Sequence, residues 1–511
     1  MTKDPTLEDI TNLCVRRGFF LQTGRIYGGL AGFFDYGPLG TEMRLEVLNS
    51  WWNFFVRSRD DIVGIYGSII THPRVWMASG HVESFIDFLV TCTRCGKEYR
   101  ADHLLEDKGI QPLQLTKDYL GKLLKDANIV CPSCGGKLSE PEPFNLMFSV
   151  SVGPKGKSSI STYLRPETAQ HMFVDFKDIY VTARLRLPFG IAQVGKAFRN
   201  EISPRNFLFR TREFEQMEIE YFINPKKLDE CPYYDKVKDM EVRVLSAEMQ
   251  EMGVKNHKVM TIEEAYDAGM ILTKWHAYWI AESLRWLISL GLRPERLRIR
   301  EHIKNELAHY AVQTFDVEYL FPYMGWKEIE GISNRSDYDL KRHQEYSGKD
   351  LSILDDGEKV VPYVIEPSFG LERVILALLT GAYNVIDNRV VLSLHPRVAP
   401  IKVGVYPLVT KENFVRKAKE VYMLLKEDFT VLYDESGSIG RRYARADEIG
   451  VPLGITVDGQ TLEDNTVTIR FRDTRKQIRV RIEELPDKIR KILKEWDKLE
   501  ESVKLELLKT K

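Results

Sequence analysis

The sequence predicts an α+β chain of several compact units that ends in a smaller α/β domain. Three observations carry that reading. A long strand–loop–strand unit covers 191–223, residues 225–310 read as mainly helical, and after Pro396 short strands and helices alternate to near residue 485.

The chain has 511 residues, 29% charged and 43% hydrophobic, a composition that excludes disordered, collagen-like and membrane-embedded classes. At roughly 150 residues per domain the length suggests three or four units. The N-terminal MTKDPTLEDI carries charges and a proline where a signal peptide needs an apolar stretch. The apolar run from Val374 to Leu379 is far short of the ~20 residues a membrane span requires. The expected location is therefore the cytoplasm, with no membrane partner. A formal net charge of −1 neither favours nor opposes a nucleic-acid partner, which needs only a local basic surface.

In chain order, residues 5–17 read as a helix and Tyr36–Gly40 as a turn. From Thr41 to Arg57, Met43, Val47, Trp51 and Phe55 crowd a long helix together with Leu45, Leu48, Trp52 and Phe54. They occupy more than one face, so wide burial is expected. Ile62 to Thr71 is strand-like and stops at His72-Pro73. Residues 85–145 behave as an insertion bearing two Cys-x-x-Cys pairs, and strands resume near 146. Within 225–310, helices are expected over Tyr233–Met252, Ile262–Gly269 and Lys274–Leu290. Strands follow at Trp326–Ile332 and Val360–Ile365, the latter ending at Pro367, and Leu371–Leu379 is a short apolar helix. The last 26 residues, 486–511, read as a charged helical tail with Ile489, Ile492, Leu493 and Trp496 on one side.

The most informative stretch runs from Gly195 to Phe222. Taken as a strand, its second half puts Met217, Ile219 and Tyr221 on one face and Arg212, Phe214, Gln216, Glu218 and Glu220 on the other. A single ring on a polar face is either a stray surface phenylalanine or a platform for a flat π-system. Across the hairpin, Arg199 and Glu201 share a parity. An arginine for phosphate and a carboxylate for an exocyclic amine suit ATP. Neither Gly-x-Gly-x-x-Gly nor Gly-x-x-x-x-Gly-Lys-Ser/Thr occurs, so the common nucleotide cradles have no support.

Phe198-Arg-Asn-Glu201, a Pro-Arg loop and Arg212-Glu-Phe214 resemble motif 2 of the class II aminoacyl-tRNA synthetases. Tyr363 to Val374 resembles motif 3, with Arg373 just inside the helix, and Asp61 to Pro73 resembles motif 1, the dimer element. Within the class, Tyr163-Leu-Arg-Pro-Glu-Thr-Ala-Gln170, Glu328 to Asp337 and Glu366-Pro-Ser368 are similar to blocks of the homodimeric glycyl-tRNA synthetases. The resemblance implies an antiparallel-sheet catalytic domain whose first part, 1–84, holds motif 1. A zinc-ribbon-like insertion (85–145), the motif 2 segment (146–224), a mainly helical insertion (225–310) and the motif 3 segment (311–396) would follow. An anticodon-binding domain (397–485) and the tail would complete the chain.

Glycine–tRNA ligation would then be the activity, in two steps through glycyl-adenylate, with Mg²⁺ accompanying ATP. By resemblance, Arg199 meets the α-phosphate, and Arg373 and Arg210 meet the γ-phosphate end. Phe214 and the Arg373 guanidinium sandwich the adenine, and Glu201 accepts its amine. Glu328 and Glu330 are the candidate Mg²⁺ ligands. Glu167, Glu218, Glu366 and Ser368 would surround the glycine ammonium. That arrangement is physically sensible: glycine offers no side chain, so affinity must come from its charged ends. Alanine is then excluded sterically, since a pocket too small rejects more strongly than a missing methylene, worth about 1–3 kcal/mol. At position 171 the family usually has glycine, and here it is His171, which either lines the substrate approach or sits on the surface.

Cys92, Cys95, Cys131 and Cys134 form two pairs, each followed by glycine, and predict a closed, structural Zn²⁺ site in preference to a redox pair. Cys14 and Cys231 read as buried thiols. In the C-terminal domain Arg441, Arg442 and Arg445, with Arg470, Arg472 and Arg475 nearby, are the candidate tRNA contacts. The competing readings are a class II enzyme for proline, threonine or histidine, and a non-catalytic, nucleic-acid-binding descendant. The acidic blocks oppose the first, and retention of Arg199, Glu201, Phe214 and Arg373 opposes the second.

Overall fold

The computed structural model describes residues 4–498 apart from 111, 113, 155–158 and 309. Its centre is a nine-stranded sheet. Across it the strands run Lys258–Thr261, Glu241–Leu245, Leu297–Glu301, Gln313–Phe321, Gly325–Ser336, Tyr363–Gly370, Glu213–Ile223, Phe189–Phe198 and Ile62–Ile65. All neighbours are antiparallel except the pairs Glu241–Leu245 with Leu297–Glu301, and Ile62–Ile65 with Phe189–Phe198.

One face of this sheet is covered by helices and forms the main core. Met217, Ile219 and Tyr221 meet Trp51 and Phe55, Trp275, Trp279 and Trp286 of the helix Lys274–Ser289, and the apolar helix Leu371–Ala382. The long helix expected from Thr41 spans Pro38–Trp52 and continues as a π-helical turn over Asn53–Arg57. Met43, Val47, Trp51 and Phe55, all fully buried, stand four apart on one stripe, while Leu45 is exposed. The opposite face of the sheet is left open over its middle strands. There the side chains of Phe214, Gln216 and Glu218 meet a cleft instead of a core.

Residues 225–310 are not mainly helical. The helices Ile262–Asp267 and Lys274–Ser289 form, but Tyr233–Met252 gives a 3-10 turn, a strand and a one-turn helix. Strong helix formers in this stretch are overridden by Val242 and Val244, which alternate with Glu241 and Arg243 and bury one side of a strand. Three strands from this region extend the central sheet. The expected strand after Ile62 is also shorter, ending at Ile65.

Pro367 does not end its strand, which continues to Gly370. The ladder to Glu213–Ile223 is interrupted there, between the pairs Glu218↔Ser368 and Tyr221↔Ile365, so the missing N–H of proline falls where pairing already lapses.

The segment 85–145 forms a three-stranded sheet (Glu98–Arg100, Ile86–Thr91, Glu142–Asn145) with two short helices, Ala101–Glu106 and Lys117–Asp126, filling the gap between the cysteine pairs. Val90, Leu104, Leu105, Leu120 and Leu124 give it a small core of its own.

The C-terminal domain is a five-stranded sheet, three strands parallel and two antiparallel, flanked by helices. The helix Leu485–Lys494 belongs to this domain and is no free tail. Leu485, Ile489, Ile492 and Trp496 are buried in its core, because their apolar stripe needs an apolar partner. The remainder of the expected tail, 499–511, lies outside the described residues.

Candidate active site

The hairpin Phe189–Phe198 and Glu213–Ile223 supplies the floor of the cleft, a space of about 370 Å³. Period-two alternation sends Met217, Ile219 and Tyr221 into the core and Phe214, Gln216 and Glu218 into the cleft, as the sequence pattern expects. Glu167, Arg199, Glu201, Arg210, Glu328, Glu366, Ser368 and Arg373 line the same cleft, so the chain brings together nearly all the residues assigned to ATP and glycine.

The two ends of the cleft differ in charge. At one end stand the arginines. The Arg199 guanidinium lies 5.2 Å from the Phe214 ring centre and donates from Nε to the Pro166 carbonyl at 3.1 Å. Arg373 stacks on Phe209 at 4.6 Å and pairs with Glu328 at 2.9 Å. Arg210 stands 3.9 Å from Glu201, and its Nη1 is 2.6 Å from His103 Nε2. Burial, with Arg100 and Arg210 nearby, holds His103 well below its ordinary pKa, so its neutral ring accepts that hydrogen bond.

The other end is acidic. Glu218 accepts from Ser368 at 2.7 Å and from Thr168, and burial first, then the neighbouring Glu167, raises its pKa. Glu366 is paired with Arg335, yet burial outweighs that cation and, with Glu218 and Glu167, pushes it up to about 8. At Glu167 the balance is reversed. Burial raises its pKa, but His81 at 3.2 Å, Arg335 and the Gln170 amide hold it well below the carboxylate range. Gln216 ties this end together, accepting from the Thr168 N–H at 3.1 Å.

Glu330 must be removed from the metal candidates. It is fully buried on the helix side of the sheet and accepts a 2.5 Å hydrogen bond from Ser283. Val317 pairs with Glu330 and Glu318 with Glu328, which leaves Ile329 as an extra, bulged residue. Without the bulge Glu328 and Glu330 would share a face; with it they oppose each other. The second carboxylate beside Glu328 in the cleft is Asp316, which burial and Glu328 raise to about 6 while His302 bonds it at 2.8 Å. Its signal was present in the alternation of Thr314, Asp316 and Glu318 with Phe315, Val317 and Tyr319. His81 and His103 were also missed, because each reaches the site from a segment distant in sequence and carries no local pattern; Arg335 lies within the Glu328 to Asp337 block but was given no role there.

His171 is neither on the surface nor in the cleft lining. It is 7% exposed and packs behind the acidic end, where a Cβ on Gly67 would come within 2.7 Å of its ring. Burial and the nearby Arg165 lower its pKa to about 4.

The sulfur atoms of Cys92, Cys95, Cys131 and Cys134 all lie within 4.8 Å of one another, with 3.5 Å from Cys92 to Cys134 and 3.7 Å from Cys95 to Cys131. A tetrahedral zinc with ~2.3 Å bonds sets a sulfur–sulfur edge of about 3.8 Å, so the four thiolates fit that ion.

In the C-terminal domain Arg442 is not available to RNA. It is 1% exposed and donates to the backbone carbonyls of Pro407, Glu435 and Gly437. Arg470 and Arg472 are likewise buried, against Asp447 and Asp473. Arg441 is exposed, and Arg445 is half-buried against Asp434 at 2.5 Å.

Comparison with known proteins agrees with this geometry. Residues 155–381 match the tRNA synthetase class II core domain (G, H, P, S and T), and residues 402–492 match the anticodon binding domain. Glycine–tRNA ligase of Treponema denticola is 42% identical over 503 residues, covering 96% of this chain and 98% of that protein. The glycine–tRNA ligases of Caldanaerobacter subterraneus subsp. tengcongensis and Clostridium tetani are 43% and 45% identical, over 96% and 95% of this chain and 99% and 98% of their own lengths. The chain therefore belongs to the glycine–tRNA ligase family, a class II synthetase core joined to an anticodon binding domain.

Proposed function

We propose that the chain activates glycine with ATP and transfers it to the 3′ end of tRNA(Gly). The observation that carries the choice of glycine is the convergence of Glu167, Glu218, Glu366 and Ser368 at one end of a cleft whose other end is arginine-rich. A carboxylate oxygen of glycine attacks the α-phosphorus, the bond from that phosphorus to the α,β-bridging oxygen breaks, and pyrophosphate leaves. The reaction is dominated by positioning and charge neutralisation. Arg199 serves the α-phosphate, and Arg210 and Arg373 serve the γ-phosphate end. Phe214 supports the adenine and Glu201 accepts its amine. The tRNA 3′-terminal ribose hydroxyl then attacks the glycyl carbonyl and AMP departs.

Mg²⁺ bound with ATP supplies further neutralisation. It takes one or two carboxylates plus phosphates, which suits Glu328 and Asp316. Zn²⁺ suits the four thiolates as a structural ion. Carefully purified, unchelated protein should contain one equivalent by metal analysis, and none would remove it.

The homodimer reading is supported by the edge strand Ile62–Ile65, which pairs on one side only, and by Tyr66 and Ile70 exposed beyond it. Sedimentation equilibrium tests it. Among the described residues no helix is long and apolar enough to cross a membrane, in keeping with a cytoplasmic enzyme of translation.

Amino-acid-dependent ATP–pyrophosphate exchange tests the whole reading. Exchange with glycine but not alanine, serine or proline is the expected result. Exchange with another amino acid would overturn the pocket assignment, and none at all in folded protein would overturn the activity.

A further inference from the structure

Beneath the acidic end of the cleft lies a carboxylate that the mechanism above leaves without a task. Glu220 follows Glu218 on the cleft-facing side of its strand. It is 0% exposed, and neither carboxyl oxygen has a hydrogen-bond partner among the described residues. The register that sets Glu218 against Ser368 and Tyr221 against Ile365 places Glu220 directly across from Glu366. One carboxyl oxygen from each of Glu218, Glu220 and Glu366 lies within 4.8 Å of the other two. Like charges opposite each other on neighbouring strands repel, and carboxylates this close in a dry site do not all ionise.

The surrounding charge does not relieve the conflict. Glu218 shares the strand, and the segment before the helix Ala169–Val174 adds Glu167 and Arg165. The helix Tyr338–Ser347 adds Asp339 and the neutral-side neighbour His343, the short helix His81–Ser84 adds His81, and Tyr310 closes one side. Of the two guanidiniums, Arg335 is divided between Asp339 and Glu366, while Arg165 donates to the backbone carbonyls of Lys196 and Gly67. Five carboxyl groups thus face two arginines, and His81 stands against Glu167 alone.

We propose that the pair Glu220 and Glu366 holds one proton in the empty pocket and releases it to solvent when the ammonium of glycine arrives, so that amino-acid binding is a proton-for-ammonium exchange. This deepens the glycine reading of the site and rests on it. The positive charge of the ligand takes over the compensation that the proton supplies in its absence. A carboxylic acid lacking the amino group cannot displace the proton, which ties recognition to the ammonium. The direction of the shifts agrees: burial, then Glu366, raises Glu220 well above the carboxylate range, and Glu366 stands at about 8. The binding form is the deprotonated one, so affinity for glycine rises with pH up to about 8 and falls below it.

Titration calorimetry at pH 7 tests this with a non-hydrolysable sulfamoyl analogue of glycyl-adenylate. Repeating the titration in buffers of different ionisation enthalpy counts the protons exchanged. The full chain should release about one proton for the glycyl analogue and close to none for the acetyl analogue, which lacks only the amino group. Glu220→Gln should bind the acetyl analogue as wild type does, which certifies its fold, and release less than half as much proton with the glycyl one. Tight glycyl binding with no buffer dependence in the wild type would overturn the proposal, as would an undiminished release in Glu220→Gln. A glycyl analogue that fails to bind where another aminoacyl analogue succeeds would instead bring down the glycine reading itself.

Discussion

The catalytic cleft and the C-terminal helix Ile439–Glu448 both carry three arginines assigned to a phosphate-bearing partner, and they treat them differently. In the cleft, Arg199, Arg210 and Arg373 lie along an open face of the sheet with their guanidiniums against rings and carboxylates that line the same space. On the helix, Arg442 is consumed by three carbonyls of its own domain and Arg445 by Asp434, leaving Arg441 exposed. A basic cluster in a sequence therefore counts charges without saying which of them the fold has already used. On a strand, alternation tells the two uses apart; on a short helix entered from a loop, it does not.

The largest effect should come from the cleft. Arg199→Ala or Arg373→Ala removes a cation from developing phosphate charge, and such losses cost about a hundred- to thousand-fold in rate. Pyrophosphate exchange should fall by that much while thermal unfolding moves little. A variant of either arginine that exchanges normally would detach it from the reaction and blur the contrast with the C-terminal domain.

Arg442→Ala should behave in the opposite way. Three backbone acceptors lose a charged donor, and hydrogen bonds to charged groups contribute about 1.5–3 kcal/mol each. The C-terminal domain should melt earlier by at least about 3 kcal/mol of stability, with glycine-dependent exchange unchanged in the catalytic domain. Unaltered melting with weakened tRNA binding would return Arg442 to the RNA surface.

The same distinction explains what was legible in the sequence. The hairpin's period of two set Phe214, Gln216 and Glu218 against Met217, Ile219 and Tyr221 without any structure, and the apolar helix after Gly370 followed from its composition. Ile329 could not be read as a bulge, because nothing local distinguishes it from a paired residue, and so Glu330 was assigned to the wrong face. Tyr233–Met252 misled through helix propensity, which burial of Val242 and Val244 overrode. His81 and His103 reach Glu167 and Arg210 only through tertiary contacts.

The two glutamates flanking that bulge sharpen the comparison within one strand. Glu328→Gln should raise the KM for Mg²⁺–ATP several-fold, since a carboxylate in the cleft is lost. Burial raises the Glu330 pKa well above the carboxylate range and keeps it neutral, so Gln replaces an uncharged acid of the same shape. Its effect on that KM should stay within about twofold. Equal effects would mean that the bulge does not separate the two faces in solution.

The smallest effect should belong to Arg441. Its side chain is exposed and makes no ion pair among the described residues, so removing it leaves the domain intact. A single exposed charge contact contributes no more than about 1 kcal/mol, a few-fold in affinity. Arg441→Ala should therefore raise the KM for tRNA a few-fold at low salt, and the difference should shrink as salt rises, because solvent-exposed charges are screened. Arg445→Ala should do less to tRNA binding, since that guanidinium must leave Asp434 before it can meet a phosphate. Filter binding of tRNA across a salt series separates the two. If Arg445→Ala proves the more damaging, the Asp434 pair opens on binding, and the C-terminal helix presents more of its charge to RNA than its unbound contacts display.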